Sequence, residues 1–211
     1  MADPEALQAR VRELAEREWD APAIQSRVRN ILEGGIPRKD LDPQVLCANR
    51  QQILERVQQR AEEYNWFARN CARSTALAVL EEFGIGNIEV IKALSPFPGF
   101  GGTGWMCGGV TGGLIALGLY FGEDDLQDYA AVGRTIMAAR EFMPRFEAQA
   151  GAVTCPRLHE NVIFGRYMDP AASPENMAAF AQAKGFEKCG LFPGIGARIA
   201  AEIILDSLQP G

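Results

Sequence analysis

The sequence predicts an all-α protein, a compact helical bundle with a glycine-rich loop and an N-terminal helical arm. Apolar residues recur at the spacing of amphipathic helices along most of the chain. Polar residues that cap helices, often with a proline beside them, stand before several of these stretches. No stretch of any length alternates between apolar and polar residues as a half-buried strand would, and residues 88–91 are the sole short strand candidate.

The first 45 residues are predicted to form a helical arm and a linker. Leu7, Val11 and Leu14 recur at helical spacing, a second short helix covers residues 21–32, and Pro37 lies in the linker that follows. These helices have few apolar residues for a core of their own. We therefore expect them to dock on a partner subunit and predict a homodimer. Residues 46–211 are the second predicted unit, a helical domain that contains four cysteines.

Two helices of this domain bear on function. A helical pattern begins near Asp42 and runs, with a kink, to Phe83, and it places Cys71 on its buried stripe. A second helix is predicted over residues 110–121. The small residues Gly109, Gly112, Gly113 and Ala116 would let the Cys71 helix approach this second helix closely. A later helix is predicted over residues 124–146, interrupted near Pro144.

Composition excludes several classes of partner. The chain has 211 residues, a hydrophobic fraction of 47% and a formal net charge of −6, which argues against binding to nucleic acid or to an anionic membrane. The longest apolar run, Val110–Phe121, is too short to span a bilayer. The chain opens with a charged amphipathic helix instead of a secretion signal, so we expect a cytoplasmic protein.

The five cysteines are an odd set, and without an export signal a disulfide framework is not expected. Their possible uses are packing, metal ligation or redox chemistry. Cys107, Cys155 and Cys189 stand at or near predicted helix starts, where free N–H groups and the helix dipole stabilise a thiolate. The long separations include no C-x-x-C pair. From the residues alone, inert packing and a cysteine-ligated centre therefore both remain open.

Residues 99–113, GFGGTGWMCGGVTGG, contain eight glycines around Cys107. Bare backbone of this kind suits a nucleotide phosphate, a metal centre, a reactive thiol or a close neighbouring helix. Residues 99–104 match G-x-G-x-x-G, but no strand precedes them and no βαβ pattern surrounds them, which disfavours a nucleotide site. A P-loop is excluded, because no Lys-Ser/Thr pair follows the glycines.

Four stretches that each contain one cysteine resemble a known family. They are NCARS (70–74), CGGVTGG (107–113), TCPRL (154–158) and the segment over residues 188–205. In the order and intervals of these cysteines the chain is similar to the C_GCAxxG_C_C family of redox-active proteins. The family core reads C-G-A-x-x-G, and here Gly109 replaces the alanine, a small change that keeps close packing possible. Residues 1–55 lie outside the resemblance.

The resemblance implies one iron–sulfur cluster of the [2Fe–2S] type, because the family in turn resembles the cluster-bearing part of split-Soret cytochromes. The implied ligands are Cys71, Cys107, Cys155 and Cys189. The glycine loop would wrap the cluster, with backbone N–H groups such as those of residues 108 and 109 bonding its sulfurs. No C-x-x-C-H is present, so no covalent haem is expected. Cys47 matches no family cysteine.

Several functions remain open at this point. The cluster could transfer electrons with a redox partner protein that the sequence does not identify, or it could sense redox state. A cluster iron with an open position could instead act as a Lewis acid in a hydratase or dehydratase, but four cysteine ligands disfavour this. A metal-free dithiol–disulfide protein and a structural zinc site also remain open. His159 could be a hydrogen-bond donor to the site, an alternative ligand, a proton carrier, or a surface residue.

Overall fold

The structure, a computed structural model, describes residues 3–208 and is all-α as the sequence predicts, with no strand in that range. The first helices are α1 (Pro4–Glu16), α2 (Ala21–Gly34), α3 (Pro43–Ala48), α4 (Arg50–Ala68), α5 (Cys71–Phe83), α6 (Ile88–Ala93) and the short turn α7 (Gly99–Gly102). They are followed by α8 (Gly108–Phe121), α9 (Tyr129–Ala150), α10 (Cys155–Leu158) with the π-helical turn His159–Ile163, α11 (Pro174–Gln182), α12 (Gly185–Cys189) and α13 (Leu191–Ser207). None of these helices is long and apolar enough to cross a membrane.

Helices begin where the sequence predicts them when a polar side chain caps the first turn. Asn87 accepts a hydrogen bond from the backbone N–H of Val90 at 3.1 Å, so the short strand candidate at 88–91 is helical. Ser173 accepts one from the N–H of Asn176 at the start of α11. Gly84 ends α5 with a φ of 62°, the left-handed conformation typical of helix ends.

The long helix predicted from Asp42 to Phe83 is divided into α3, α4 and α5. The chain turns at Arg69, whose φ is 49°, and α5 starts after Asn70, whose side chain accepts a hydrogen bond from the N–H of Arg73 at 3.1 Å. Asn70 Nδ2 also donates to the carbonyl oxygen of Ser95 at 3.1 Å. This distant bond fixes the break and makes Cys71 the first residue of α5.

The core lies between α4, α5, α8 and α13, and α9 covers the outer side of α8 and α13. Helix α9 extends four residues beyond the predicted end at residue 146 and runs through Pro144. It continues because Phe142 and Phe146 are both fully buried, and this packing outweighs the hydrogen bond that proline cannot donate.

Helix α8 approaches two neighbours closely through its glycines. A Cβ on Gly112 would overlap the carbonyl oxygen of Ala72 in α5. A Cβ on Gly109 would lie 2.5 Å from the carbonyl oxygen of Phe192 in α13. The predicted packing of the Cys71 helix against the glycine-rich helix is therefore confirmed.

The N-terminal helix α1 packs on its own chain. The buried carboxylate of Glu62 in α4 accepts hydrogen bonds from Arg10 at 2.7 and 2.8 Å and from Arg17 at 2.8 Å. Val11 and Leu14 of α1 contribute to the common core. The predicted docking surface for a partner subunit on this helix is thus engaged within the chain. The homodimer and the division at residue 45 stay predictions.

Gly112→Ala is expected to lower the free energy of unfolding by about 2 kcal/mol, because the new methyl group would meet rigid backbone in α5. Gly118→Ala is the matched control, since it lies in the same helix and its Cβ would meet nothing within 4 Å. The control should leave stability unchanged or raise it by up to about 1 kcal/mol. Chemical denaturation measures both variants, and equal stabilities would contradict the close packing of α5 and α8.

Glu62→Gln is expected to lower the free energy of unfolding by about 2 kcal/mol, because Arg10 of α1 and Arg17 at its end lose a buried anionic partner. Glu89→Gln provides the comparison, since Glu89 pairs with Lys92 in an exposed ion pair. That change should alter stability by less than about 0.5 kcal/mol. If thermal unfolding shows the same small effect for both variants, the buried ion pair does not hold α1 in place.

Candidate functional site

Four of the five cysteines lie at the ends of helices. Cys71 is the first residue of α5, Cys107 is the N-cap of α8, and Cys155 is the first residue of α10. Cys189 is the last residue of α12, immediately before α13. The sequence predicts a helix-start position for three of them, and the break in the chain before α5 adds Cys71. Cys47 lies apart from this group, in α3.

The structure brings the four predicted thiols together. The Cys107 thiol lies close enough to the thiols of Cys71 and Cys155 for them to affect its ionisation. Cys189 lies close enough to Cys71 and Cys155 for their charges to affect its ionisation. All five cysteines are free thiols. Within residues 3–208, no three His, Cys, Asp or Glu side chains are arranged to hold a single metal ion.

Backbone N–H groups of the glycine-rich segment point at these sulfurs. Gly109 N donates to Cys107 Sγ at 3.4 Å, and the nearby N–H groups of Gly108 and Gly99 lower the pKa of Cys71. A Cβ on Gly108 would overlap Cys71 Sγ, so only glycine permits this approach. The two predicted backbone contributors, Gly108 and Gly109, therefore lie against the thiols.

The thiols differ in their tendency to ionise. The hydrogen bond from Cys107, helped by backbone N–H groups, lowers the pKa of Cys71 despite its burial. The pKa of Cys107 is raised well above its usual value, because its protonated form is favoured by the neighbouring sulfurs of Cys155 and Cys71 and because it is buried. Burial, followed by the charges of Cys155 and Cys71, raises the pKa of Cys189. Of these three thiols, Cys71 is therefore the one whose surroundings favour the thiolate.

The loop at residues 99–104 covers the Cys155 side of the group. The backbone N–H of Cys155 donates to the carbonyl oxygen of Gly104 at 3.1 Å. A Cβ on Gly99 would lie 3.7 Å from Cys155 Sγ, and one on Gly104 would lie 2.6 Å from the hydroxyl of Tyr167. The glycines thus let the chain pass between a thiol and an aromatic residue. No strand precedes them in the described chain, so the geometry of a dinucleotide site is absent.

A cavity of about 300 Å³ opens beside the thiols. Cys71, Cys155 and Cys189 line one part of it, and the rest is mostly apolar and includes Phe180 and Phe186. Sequence reasoning missed this aromatic lining. The only local signal is the place of Phe186, three residues before a cysteine, and that spacing has no distinctive meaning.

His159 is buried beside the group, so the prediction of a surface histidine is wrong. Its Nε2 lies 3.6 Å from Cys189 Sγ, and its ring packs against the edge of Phe164. Burial lowers the pKa of His159 to about 4, so the imidazole is neutral at neutral pH. Its Nδ1 has no hydrogen-bond partner within the described residues. This position favours the role of a neutral hydrogen-bond donor to the Cys189 sulfur.

Among the comparisons with known proteins, a family model gives the match. A family model described as "Putative redox-active protein (C_GCAxxG_C_C)" matches residues 69–203, a span that contains all four grouped cysteines and leaves out Cys47. No curated protein and no solved structure matches the chain, so the likeness to split-Soret cytochromes stays an expectation. Because the matched span is more than half of the chain, the protein belongs to the C_GCAxxG_C_C family of redox-active proteins.

Proposed function

We propose that the protein is a redox protein that holds one [2Fe–2S] cluster with Cys71, Cys107, Cys155 and Cys189, for electron transfer or redox sensing. The observation that carries the proposal is the convergence of four thiols from four separate helix ends, three of which line one cavity. The family description supports the redox role.

Packing alone does not account for this convergence. A buried free cysteine usually behaves as a small apolar side chain and has no need of other thiols. Here Cys107 lies beside two other thiols, and backbone N–H groups of the glycine segment point at the sulfurs. N–H groups directed at sulfur stabilise negative charge, which thiolates have and thiols lack. The surroundings therefore suit a ligand set that works in its ionised form.

The donor set fits an iron–sulfur cluster. Thiolates are the ligands that such clusters take, and four of them complete a [2Fe–2S] centre. The four cysteines would be divided between two irons, so the donor set would not need three protein ligands around one ion. When bound, the cluster would supply one-electron redox chemistry. The N–H groups of Gly108 and Gly109 and the burial of the site would tune its potential.

The same contacts support a second candidate, a dithiol–disulfide protein without metal. Cys107 lies beside both Cys71 and Cys155, and either pair could form a disulfide by passing two electrons and two protons to the disulfide of a partner protein, which would become a dithiol. This interpretation gives no role to Cys189, which lies beside His159 instead of in contact with another thiol. The cluster uses all four cysteines, and for that reason we favour it.

The proposal has consequences for cellular context. A carrier or sensor of electrons exchanges them with another protein, so a redox partner protein is part of the proposal. The five free cysteines suit a reducing compartment, and we propose the cytoplasm.

Protein purified without oxygen, or reconstituted with iron and sulfide, is expected to contain about two iron and two sulfide per chain. Serine at position 71, 107, 155 or 189 should lower this content and shift the reduction potential of any cluster that remains, because oxygen is a harder ligand than sulfur. The measurements are iron and sulfide analysis and a potentiometric titration followed by visible absorption.

Cys47→Ser is the control and should retain both metal content and potential, since Cys47 lies outside the group. Zinc in place of iron would replace the redox centre with a structural site. If the protein contains no iron, takes up two electrons per chain in the titration and shows a disulfide by mass spectrometry, it is the metal-free dithiol–disulfide protein instead.

A further inference from the structure

Helix α9 presents a largely apolar stripe that the rest of the described chain leaves exposed. The α9 stripe consists of Tyr129, Val132, Gly133, Ile136 and Arg140, which follow one another at helical spacing. Tyr129, Val132 and Ile136 are 80%, 49% and 53% exposed. Single exposed apolar residues are common on protein surfaces, whereas a continuous stripe marks an interaction site.

Gly133, at the centre of the stripe, has no explanation within the chain. Glycine inside a helix costs about 1 kcal/mol relative to alanine. Glycines of α8 are required because a Cβ would strike a neighbouring helix, but a Cβ on Gly133 would meet nothing within 4 Å. A small residue at this point does allow another helix to approach the stripe closely.

The two ends of the stripe carry opposite charge. The segment before α9 contains Glu123, which pairs with Arg134 at 3.8 Å, and Asp124 and Asp125, and three residues separate Asp125 from Tyr129. At the other end Arg140 is exposed and forms no ion pair with any described residue. A surface with an apolar centre, an acidic end and a basic end is complementary to its own copy turned end for end.

We propose that the α9 stripe is the interface of a symmetric dimer, in which α9 of a second copy packs antiparallel on it. A twofold axis between positions 134 and 135 brings position 129 opposite 140 and position 133 opposite 136. Arg140 then meets the acidic segment and the Tyr129 ring of the other copy, twice in each dimer. The apolar residues at the centres of the two stripes then cover each other, and Gly133 lets the two helices approach closely there.

A groove beside the stripe is consistent with this arrangement. It has a volume of about 880 Å³ and is lined by apolar residues that include Phe121, Met137 and Ile203, with charged residues that include Arg134, Arg140 and Glu141. Leu126, just before α9, is 91% exposed. In the antiparallel pair, Leu126 of the second copy comes to the end of the groove near Arg140. The dimer would cover this side chain as well.

Light scattering on the full chain after gel filtration tests the proposal. The wild type is expected to have twice the 23.0 kDa mass of one chain. Ile136→Glu should give a monomer with unchanged helix content, because the side chain is exposed. Val45→Glu is the control, since Val45 is 56% exposed on α3, and it should remain a dimer. A wild-type monomer at about 100 µM, well above the Kd of a specific interface, would refute the dimer.

Charge reversal tests the pairing itself. Arg140→Glu and Asp125→Arg should each raise the dimer Kd about tenfold, because each interface contains the contact twice. The double variant should restore the Kd. If the Ile136→Glu variant remains a dimer, the two copies associate through another surface. If the double charge reversal does not restore the Kd, the copies associate elsewhere or the stripe binds a different protein. Either result overturns the proposal and leaves the proposed redox centre untouched, because the stripe contains none of the cysteines.

Discussion

The approach of the Gly108 backbone to the sulfur of Cys71 is the contact on which the rest of the site depends. It places the first turns of α5 and α8 side by side, so that free N–H groups of both helices face the same sulfurs. Gly109, next along the chain, lies against the carbonyl oxygen of Phe192 in α13. Phe192 stands three residues after Cys189, so the same pair of glycines also locates the fourth thiol.

The closeness of the thiols opposes the ionisation of more than one of them. Thiols gathered in a buried place cannot all ionise, and the raised pKa values of Cys107 and Cys189 are the result. The N–H groups offset the negative charge of one thiolate at Cys71. Ionising the others requires positive charge among them. A centre that contains iron would supply it, whereas a disulfide would remove the ionisable groups altogether.

Local features of the fold could be predicted from the sequence, and distant contacts could not. The caps at Asn87 and Ser173 and the glycine that ends α5 involve a few neighbouring residues, so their pattern is visible in the chain. The break before Cys71 depends on a hydrogen bond from Asn70 to Ser95, and no sequence pattern announces it. The burial of His159 and the aromatic lining arise in the same way, because segments far apart in the chain fold over one cavity.

The N-terminal arm lies outside the matched span, yet it supports the site. Helix α4 holds the arm through Glu62, and one turn later Asn65 Nδ2 donates to the carbonyl oxygen of Phe186 in α12 at 2.7 Å. Lys184, just before α12, donates to the carbonyl oxygen of Ala15 in α1 at 2.8 Å. The helix that ends at Cys189 is thus held from two sides. By packing on its own chain, the arm therefore helps to hold Cys189 in position.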